Sequence, residues 1–432
     1  MMGDAYLVDG FPWVWRGLVL LLVGWVAMQV VRAVRWVWWT PRRLERALRE
    51  QGIDGKPYRF LFGDIGESTR LTNEAKLKPM RSSSHDITPR VAPLQHLTMI
   101  AHEGACELDV WPELQNFTRD VISRTAFGSS YEEGRRIFQL QEEIIEIAIQ
   151  SLKILSVPGY RYLPTKRNQR LREIAKEVDG LLREIVMKRE KALQSAGNAS
   201  TDDLLSLLLE SNLTHFQVNG CSKQFKMTTK DVIEECKLFY FAGQETTSVL
   251  LTWAMVVLSM HTDWQDRARS EVLQVFGRNR PDYDGLSQLK TVTMILYEVL
   301  RLYPPATLLV RSTNKTMKLG EYTFPPGVHF ILPILFIHHD PEFWGEDANE
   351  FNPERFANGV SKASKNQVAF FPFGGGPRVC IGQSFAMTEA KMGLATILQH
   401  FSFELSPAYA HAPCTVATLH PQHGAQLVLR KL

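Results

Sequence analysis

The sequence predicts a mainly α-helical protein with a small β portion. Three observations carry that prediction. Residues 231–260 form a proline-free run that is apolar on nearly all sides after Lys237, and a helix apolar all round belongs inside a protein. Apolar residues recur at helical spacing before it, over 108–213, and after it, over 264–276 and 286–303. The β portion is signalled by short apolar pieces at 317–319, 322–324 and 328–332, separated by Gly320-Glu321 and Pro325-Pro326-Gly327.

Taken in order, the chain starts with an apolar stretch at 11–31 interrupted by Arg16. Its uncharged part, 17–31, is short for a spanning helix, which needs about 20 residues. Arg16 can snorkel to the headgroups and lengthen the span. Trp13, Trp15, Trp36, Trp38 and Trp39 flank both ends as an aromatic belt. The positive charge follows the apolar stretch, which favours a signal anchor over a cleaved leader and keeps the main body on the cytosolic side. The expected anchor with its flanks is 11–39.

A basic, glycine-containing connector follows, and 40–107 is set apart from the body at 108–432. Within the body, Pro158-Gly159 and Pro164 break the first helical region. Residues 178–191 are amphipathic, and Thr201-Asp202-Asp203 can cap the next helix. The long apolar helix starts after Thr228-Thr229. A last long helix is expected from just after Cys380 to about His400, with short strands over 401–432.

The 432 residues suffice for one large domain or two modest ones. Cysteines at 106, 221, 236, 380 and 414 are few, scattered and without a C-x-x-C pair. Neither a disulfide framework nor a zinc site is indicated, and a reducing compartment is the simplest reading. The net charge of +3 lies wholly in residues 1–50, which hold seven arginines and four acids. A basic end beside an apolar stretch points to a membrane rather than to nucleic acid.

The most informative stretch is Phe373-Gly374-Gly375-Gly376-Pro377-Arg378-Val379-Cys380-Ile381-Gly382. Small and ring-locked residues lead into one cysteine, with Arg378 two places before it and Gly382 two after. Such a loop can curl its amides around a sulfur, and a cation nearby lowers the thiol pKa and prepares a metal ligand. Glycines also allow a flat macrocycle close to the backbone. A structural cysteine after a turn is the competing reading of a lone cysteine, but not of this whole pattern.

In the middle of the apolar helix stands Ala242-Gly243-Gln244-Glu245-Thr246-Thr247. Threonine hydroxyls can bond back to the preceding turn and Gly243 adds freedom, so a local kink could open a groove there. An acid beside a hydroxyl makes a short proton path; an ordinary polar turn is the competing reading. Glu298 and Arg301 stand at i and i+3 between apolar neighbours, and a buried pair of this kind needs further partners. Arg355, in Pro353-Glu354-Arg355-Phe356, is a candidate.

These motifs, in this order, resemble those of the cytochrome P-450 family, for which cysteine-thiolate haem ligation is known. The resemblance is continuous from about Glu107 to the C-terminus. Asp109-Val110-Trp111-Pro112, Leu163-Pro164-Thr165-Lys166-Arg167-Asn168 and the run 235–247 resemble more narrowly the plant group that includes secologanin synthase.

The resemblance implies the P-450 fold preceded by one N-terminal transmembrane helix, in the endoplasmic reticulum membrane with the catalytic domain cytosolic. It implies heme b ligated by Cys380. Phe373, Arg378 and Gly382 belong to the haem-binding loop, with Arg378 and Arg311 to hold the propionates. It implies that Thr246 stabilises bound dioxygen and that Glu245 supplies protons. Glu298, Arg301 and Arg355 are implied as a structural core, and Leu308, Leu309 and Val310 as facing substrate. The partners implied are NADPH-cytochrome P-450 reductase, dioxygen and a small apolar substrate, terpenoid or hormone-like.

The chain departs from the family on its N-terminal side. A sheet and a helix carrying W-x-x-x-R are expected where Pro93-Leu94-Gln95-His96 runs through Ala101-His102-Glu103-Gly104 into Cys106. Trp38…Arg42 and Trp39…Arg43 fit that spacing only formally, beside the anchor with Pro41 inside. Two readings stand: a membrane-anchored haem-thiolate monooxygenase, or a truncated relative that binds haem poorly or not at all.

Overall fold

The computed structural model describes residues 105–129, 131–155, 163–195, 203–210 and 227–432, with isolated positions at 28, 31, 39, 42 and 46. The expected anchor and connector thus lie almost wholly outside the described residues. Among the described residues, no helix is long and apolar enough to cross a membrane. From residue 105 onward the description belongs to one unit, Gly104–Leu432.

The helices follow from local chemistry. Asp109 ends β1 (Cys106–Asp109) and caps α1 (Val110–Phe127), accepting from the Trp111 N–H at 3.1 Å. Gly128, at φ 56°, closes α1 in the left-handed region that glycine tolerates. α2 (Tyr131–Leu155) and α3 (Lys166–Ser195) follow, α3 starting just past Pro164 as expected. Asp203 caps the helical run at 204–210 through the Ser206 N–H at 2.9 Å.

The long central helix, α4 (Thr229–Met260), carries a full capping box between Thr228 and Asp231. Its 32 residues span about 48 Å. It joins two apolar clusters. Its first part, Val232 to Tyr240, packs with α1, α2 and α3. Its second part, Val249 to Leu258, packs with α5 (Thr262–Phe276), α7 (Lys290–Leu302) and α10 (Gln383–His400). The polar segment Gln244–Thr247 falls in the gap between the two clusters. Polar residues are tolerated there because neither apolar cluster has to absorb them.

One expected helix is split. The sequence predicts a helix over 286–303. The structure ends a short turn, α6, at Tyr283–Leu286 and starts α7 at Lys290. The start is fixed from outside the segment. Glu271 of α5 accepts the N–H groups of Lys290, Thr291 and Val292 at 2.9, 2.8 and 3.0 Å. A carboxylate on a helix N-terminus satisfies orphan donors and the macrodipole together.

The β portion is small and antiparallel. β1 pairs with β9 (Gln426–Lys431), which pairs with β6 (Phe401–Leu405), so the chain's last strand is the middle one. β2 (Leu309–Ser312) pairs with β5 (His329–Leu332), and β3 (Met317–Leu319) with β4 (Tyr322–Phe324). Two short helices follow, α8 (Ile334–His338) and α9 (Pro341–Trp344). β7 (Pro413–Val416) pairs with β8 (Thr418–Pro421) in a C-terminal hairpin. Trp253 of α4, fully buried, donates its indole N–H to the Leu419 carbonyl at 2.7 Å and holds that hairpin on the central helix.

Candidate functional site

The cysteine loop is fixed by its own backbone. The Cys380 N–H donates to the Phe373 carbonyl at 2.8 Å, and the Gly374 N–H to the Phe371 carbonyl at 2.9 Å. Gly374 and Gly376 sit at φ 73° and 67°, which L side chains rarely adopt. Phe373 packs against the main core and anchors one end. A 3₁₀ turn at Gly376–Arg378 leads to the sulfur. Helix α10 starts at Gln383, three residues after Cys380. Cys380 is free and exposed.

The loop's surroundings suit a flat, anionic, iron-bearing macrocycle. A Cβ added at Gly375 or Gly376 would meet nothing within 4 Å, so the loop offers open backbone there. Val379 and Ile381 expose apolar side chains beside the sulfur. Arg311 comes to the same place from β2. Its Nη2 lies 4.0 Å from where a Gly374 Cβ would stand, and its Nη1 donates to its own strand's Val310 carbonyl at 3.0 Å. Arg378 is exposed on the 3₁₀ turn. A soft anionic ligand, an apolar rim and two guanidinium groups fit such a group. Gly382 is required less by space, since a Cβ there would reach Sγ only at 3.8 Å. Of the expected substrate-facing strand, Leu308 and Val310 are exposed, whereas Leu309 turns toward Gly374.

The central-helix segment is α-helical without interruption through 242–247. Thr246 is half-buried and its hydroxyl donates back to the Ala242 carbonyl at 2.8 Å, as expected of a helical threonine. Its lone pairs stay available as acceptors. Gly243 has a different reason from the one its conformational freedom suggests. A Cβ there would come within 2.5 Å of Ile122 Cδ1, so the glycine lets α1 approach α4.

Glu245 is buried and turned to the C-terminal hairpin. Its Oε1 accepts from the Thr418 hydroxyl at 2.7 Å and from His420 Nε2, and its Oε2 from the Gln244 amide at 3.3 Å. Burial works against its charge, yet the His420 hydrogen bond and charge, with Thr418 and Gln244, hold its pKa below the ordinary carboxylate range. The acid and the hydroxyl are adjacent in sequence but about 100° apart around the helix, so they face different neighbours.

A second buried acid lies nearby. Glu389 of α10 has Thr247 as its polar neighbour, but neither oxygen has a hydrogen-bond partner of normal geometry. Burial, opposed only weakly by Thr247, pushes its pKa up to about 8.

Beneath the loop lies the charged core. Arg301 and Glu298 are fully buried and joined by two parallel bonds of 2.8 and 2.7 Å. Arg301 also donates to the backbone carbonyls of His338, Ala348 and Glu350. Glu298 accepts the Asn352 N–H at 2.9 Å and meets Arg355 Nε at 3.4 Å. Arg355 pairs in turn with Asp347. All three residues expected of this core are therefore brought together.

Three residues here escaped the sequence reading: His338, His420 and Glu389. His338 is fully buried, and its Nε2 accepts the Phe371 N–H at 3.1 Å. Its ring stacks on Phe370, and its carbonyl receives Arg301. It thus links the charged core to the segment that enters the cysteine loop. Burial pushes its pKa down to about 3, so the ring is neutral and can accept. Only the placement of His338 beside His339, after an apolar turn, could have drawn notice.

Comparison with known proteins shows the family. The sequence profile described as Cytochrome P450 matches residues 70–427. The chain is 52% identical to Cytochrome P450 CYP72A616 of Paris polyphylla, over 96% of this chain and 98% of that one. It is 45% identical to Cytochrome P450 72A15 of Arabidopsis thaliana, with the same coverage. With Cytochrome P450 72A397 of Kalopanax septemlobus it shares 46% identity over 93% and 95% of the two chains. The first alignment spans 516 positions against the 432 residues of this chain, so at least 84 positions of that relative face no residue here.

Proposed function

The chain belongs to the cytochrome P450 family of monooxygenases, whose cofactor is heme b held by a cysteine thiolate, and on that premise we propose that Cys380 is the iron ligand of a membrane-anchored monooxygenase. The observation that carries the residue assignment is the approach of Arg311, from β2, to Gly374 of the exposed Cys380 loop. Bound there, haem supplies the redox centre at which dioxygen is reduced and split, one atom going to substrate and one to water.

The chain's own residues do the rest. Arg311 and Arg378 pair with the propionates. Thr246, its proton committed to Ala242, would offer its lone pairs to a hydrogen-bond donor beside bound haem. Glu245 is the acid that returns protons to that region. Leu308 and Val310 present apolar surface to a small apolar substrate, terpenoid or hormone-like. Electrons come from NADPH through cytochrome P-450 reductase. Residues 11–39 anchor the chain in the endoplasmic reticulum membrane with the body in the cytosol.

One observation favours a second reading, a relative that takes up haem poorly: the 84 or more positions without counterpart. The carbon-monoxide difference spectrum of the reduced chain separates the two. A thiolate-type Soret band is expected, and Cys380→Ser should abolish it. Absence of haem uptake would favour the second reading, and a band that survives Cys380→Ser would overturn the ligand assignment.

A further inference from the structure

We propose that His420, on the C-terminal hairpin, is a positioning residue for the Glu245 carboxylate, holding the acid ionised and turned to the hairpin between proton deliveries. The proposal rests on the reading of Glu245 as the proton-supplying acid. Its ground is geometric. Glu245 sits in the gap between the two apolar clusters, yet its oxygens reach into a closed set of donors. Thr418 and His420, alternate residues of β8, both donate to Oε1, and Gln244 donates to Oε2. A carboxylate only accepts, so His420 Nε2 carries the proton of that bond.

β8 is in turn held in place independently of the acid. The Trp253 indole donates to the Leu419 carbonyl, and the Leu419 N–H donates to the Pro305 carbonyl at 3.1 Å. The Trp111 ring lies 5.0 Å from the His420 ring on its other side. His420 is therefore fixed by the fold and Glu245 is fixed by His420. The His420 side chain is 21% exposed and that of Glu245 only 7%, so the histidine is also the acid's contact with the wetter side. An acid held this way is satisfied when idle, and it must take up a proton from water and give up the hairpin bond before it can deliver that proton.

The test uses the full chain and three variants, His420→Phe, His420→Gln and Glu245→Gln. The first readout is the infrared carboxyl band, isolated as the difference from Glu245→Gln, followed against pH in the purified protein. It needs no turnover. In His420→Phe the protonated-carboxyl band should appear at higher pH than in the native chain, because burial is then opposed only by Thr418 and Gln244. His420→Gln, which keeps a neutral donor, should restore part of the difference. An unchanged midpoint in His420→Phe overturns the proposal.

The second readout is the share of consumed reductant that emerges as oxygenated product rather than peroxide. His420→Phe should change this share by about tenfold, in the same sense as Glu245→Gln. If Glu245→Gln alone changes it, His420 does not position the acid. If neither changes it while the carboxyl band still shifts, the pairing stands and the reading of Glu245 as the proton source fails.

Discussion

Replacing Glu298 with glutamine should cost about 3–5 kcal/mol, because it leaves a buried guanidinium without its counter-ion. The side chain keeps its shape, so the change isolates charge and donor pattern. In the native core, Glu298 accepts two bonds from Arg301, one from the Asn352 N–H, and the charge of Arg355 at 3.4 Å. Both Glu298 and Arg301 are fully buried, so water cannot take over. A glutamine turns one acceptor into a donor that faces other donors. Among the described residues, the acid then left to the two guanidinium groups is Asp347, which pairs with Arg355.

Total stability of a domain is about 5–15 kcal/mol, so the loss is a large part of it. With a urea slope of about 3 kcal/mol per M, the unfolding midpoint followed by tryptophan fluorescence should fall by about 1–1.7 M. The matched control is Glu354→Gln, one residue before Arg355. Glu354 pairs with Arg267 at 2.7 Å, but both side chains are about half exposed, so less than about 1 kcal/mol is expected. If Glu298→Gln moves the midpoint no further than that control, the view of this core as a desolvated, obligatory charge set is wrong.

Three further outcomes can be checked. His338→Phe keeps the ring stack but orphans the Phe371 N–H, and should cost about 1–3 kcal/mol by the same urea assay. The native His338 resists protonation when folded, so its contribution is present above pH 6.5 and is lost as pH falls from 6.5 toward 3; the variant should lose less stability over that window. Glu389 has the opposite sign. Its raised pKa means the folded chain holds a proton the unfolded chain has lost, so stability falls as pH rises from about 4.5 to about 8. Glu389→Gln should flatten that fall and raise stability at pH 8 by about 1–3 kcal/mol, read from urea midpoints across pH. Gly243→Ala should cost about 1–3 kcal/mol by crowding Ile122, and the added change Ile122→Val or Ile122→Ala should recover part of it in a double-mutant cycle.

Much of this was legible in the sequence, for local reasons. The central helix was readable because its apolar run is long and its cap, Thr228 with Asp231, is local. The β3–β4 hairpin was readable at both strands because Gly320-Glu321 marks its turn. The Cys380 loop was readable because glycine, proline and cysteine chemistry act within ten residues. The split before α7 was not readable, since its cap, Glu271, comes from another helix. Nor was the reason for Gly243, which lies in the Ile122 side chain of α1.

By itself, then, the sequence determined the helical class, the Cys380 loop and the members of the charged core, because periodicity, turn chemistry and short motifs need only near neighbours. The tertiary structure alone decided which way the charges point. Glu245 is turned to a histidine 175 residues away, His338 is made neutral by the core that closes over it, and Glu389 is buried with Thr247 as its polar neighbour. Burial and hydrogen-bond partners set the protonation of such groups, and both are properties of packing, which no local pattern of residues encodes.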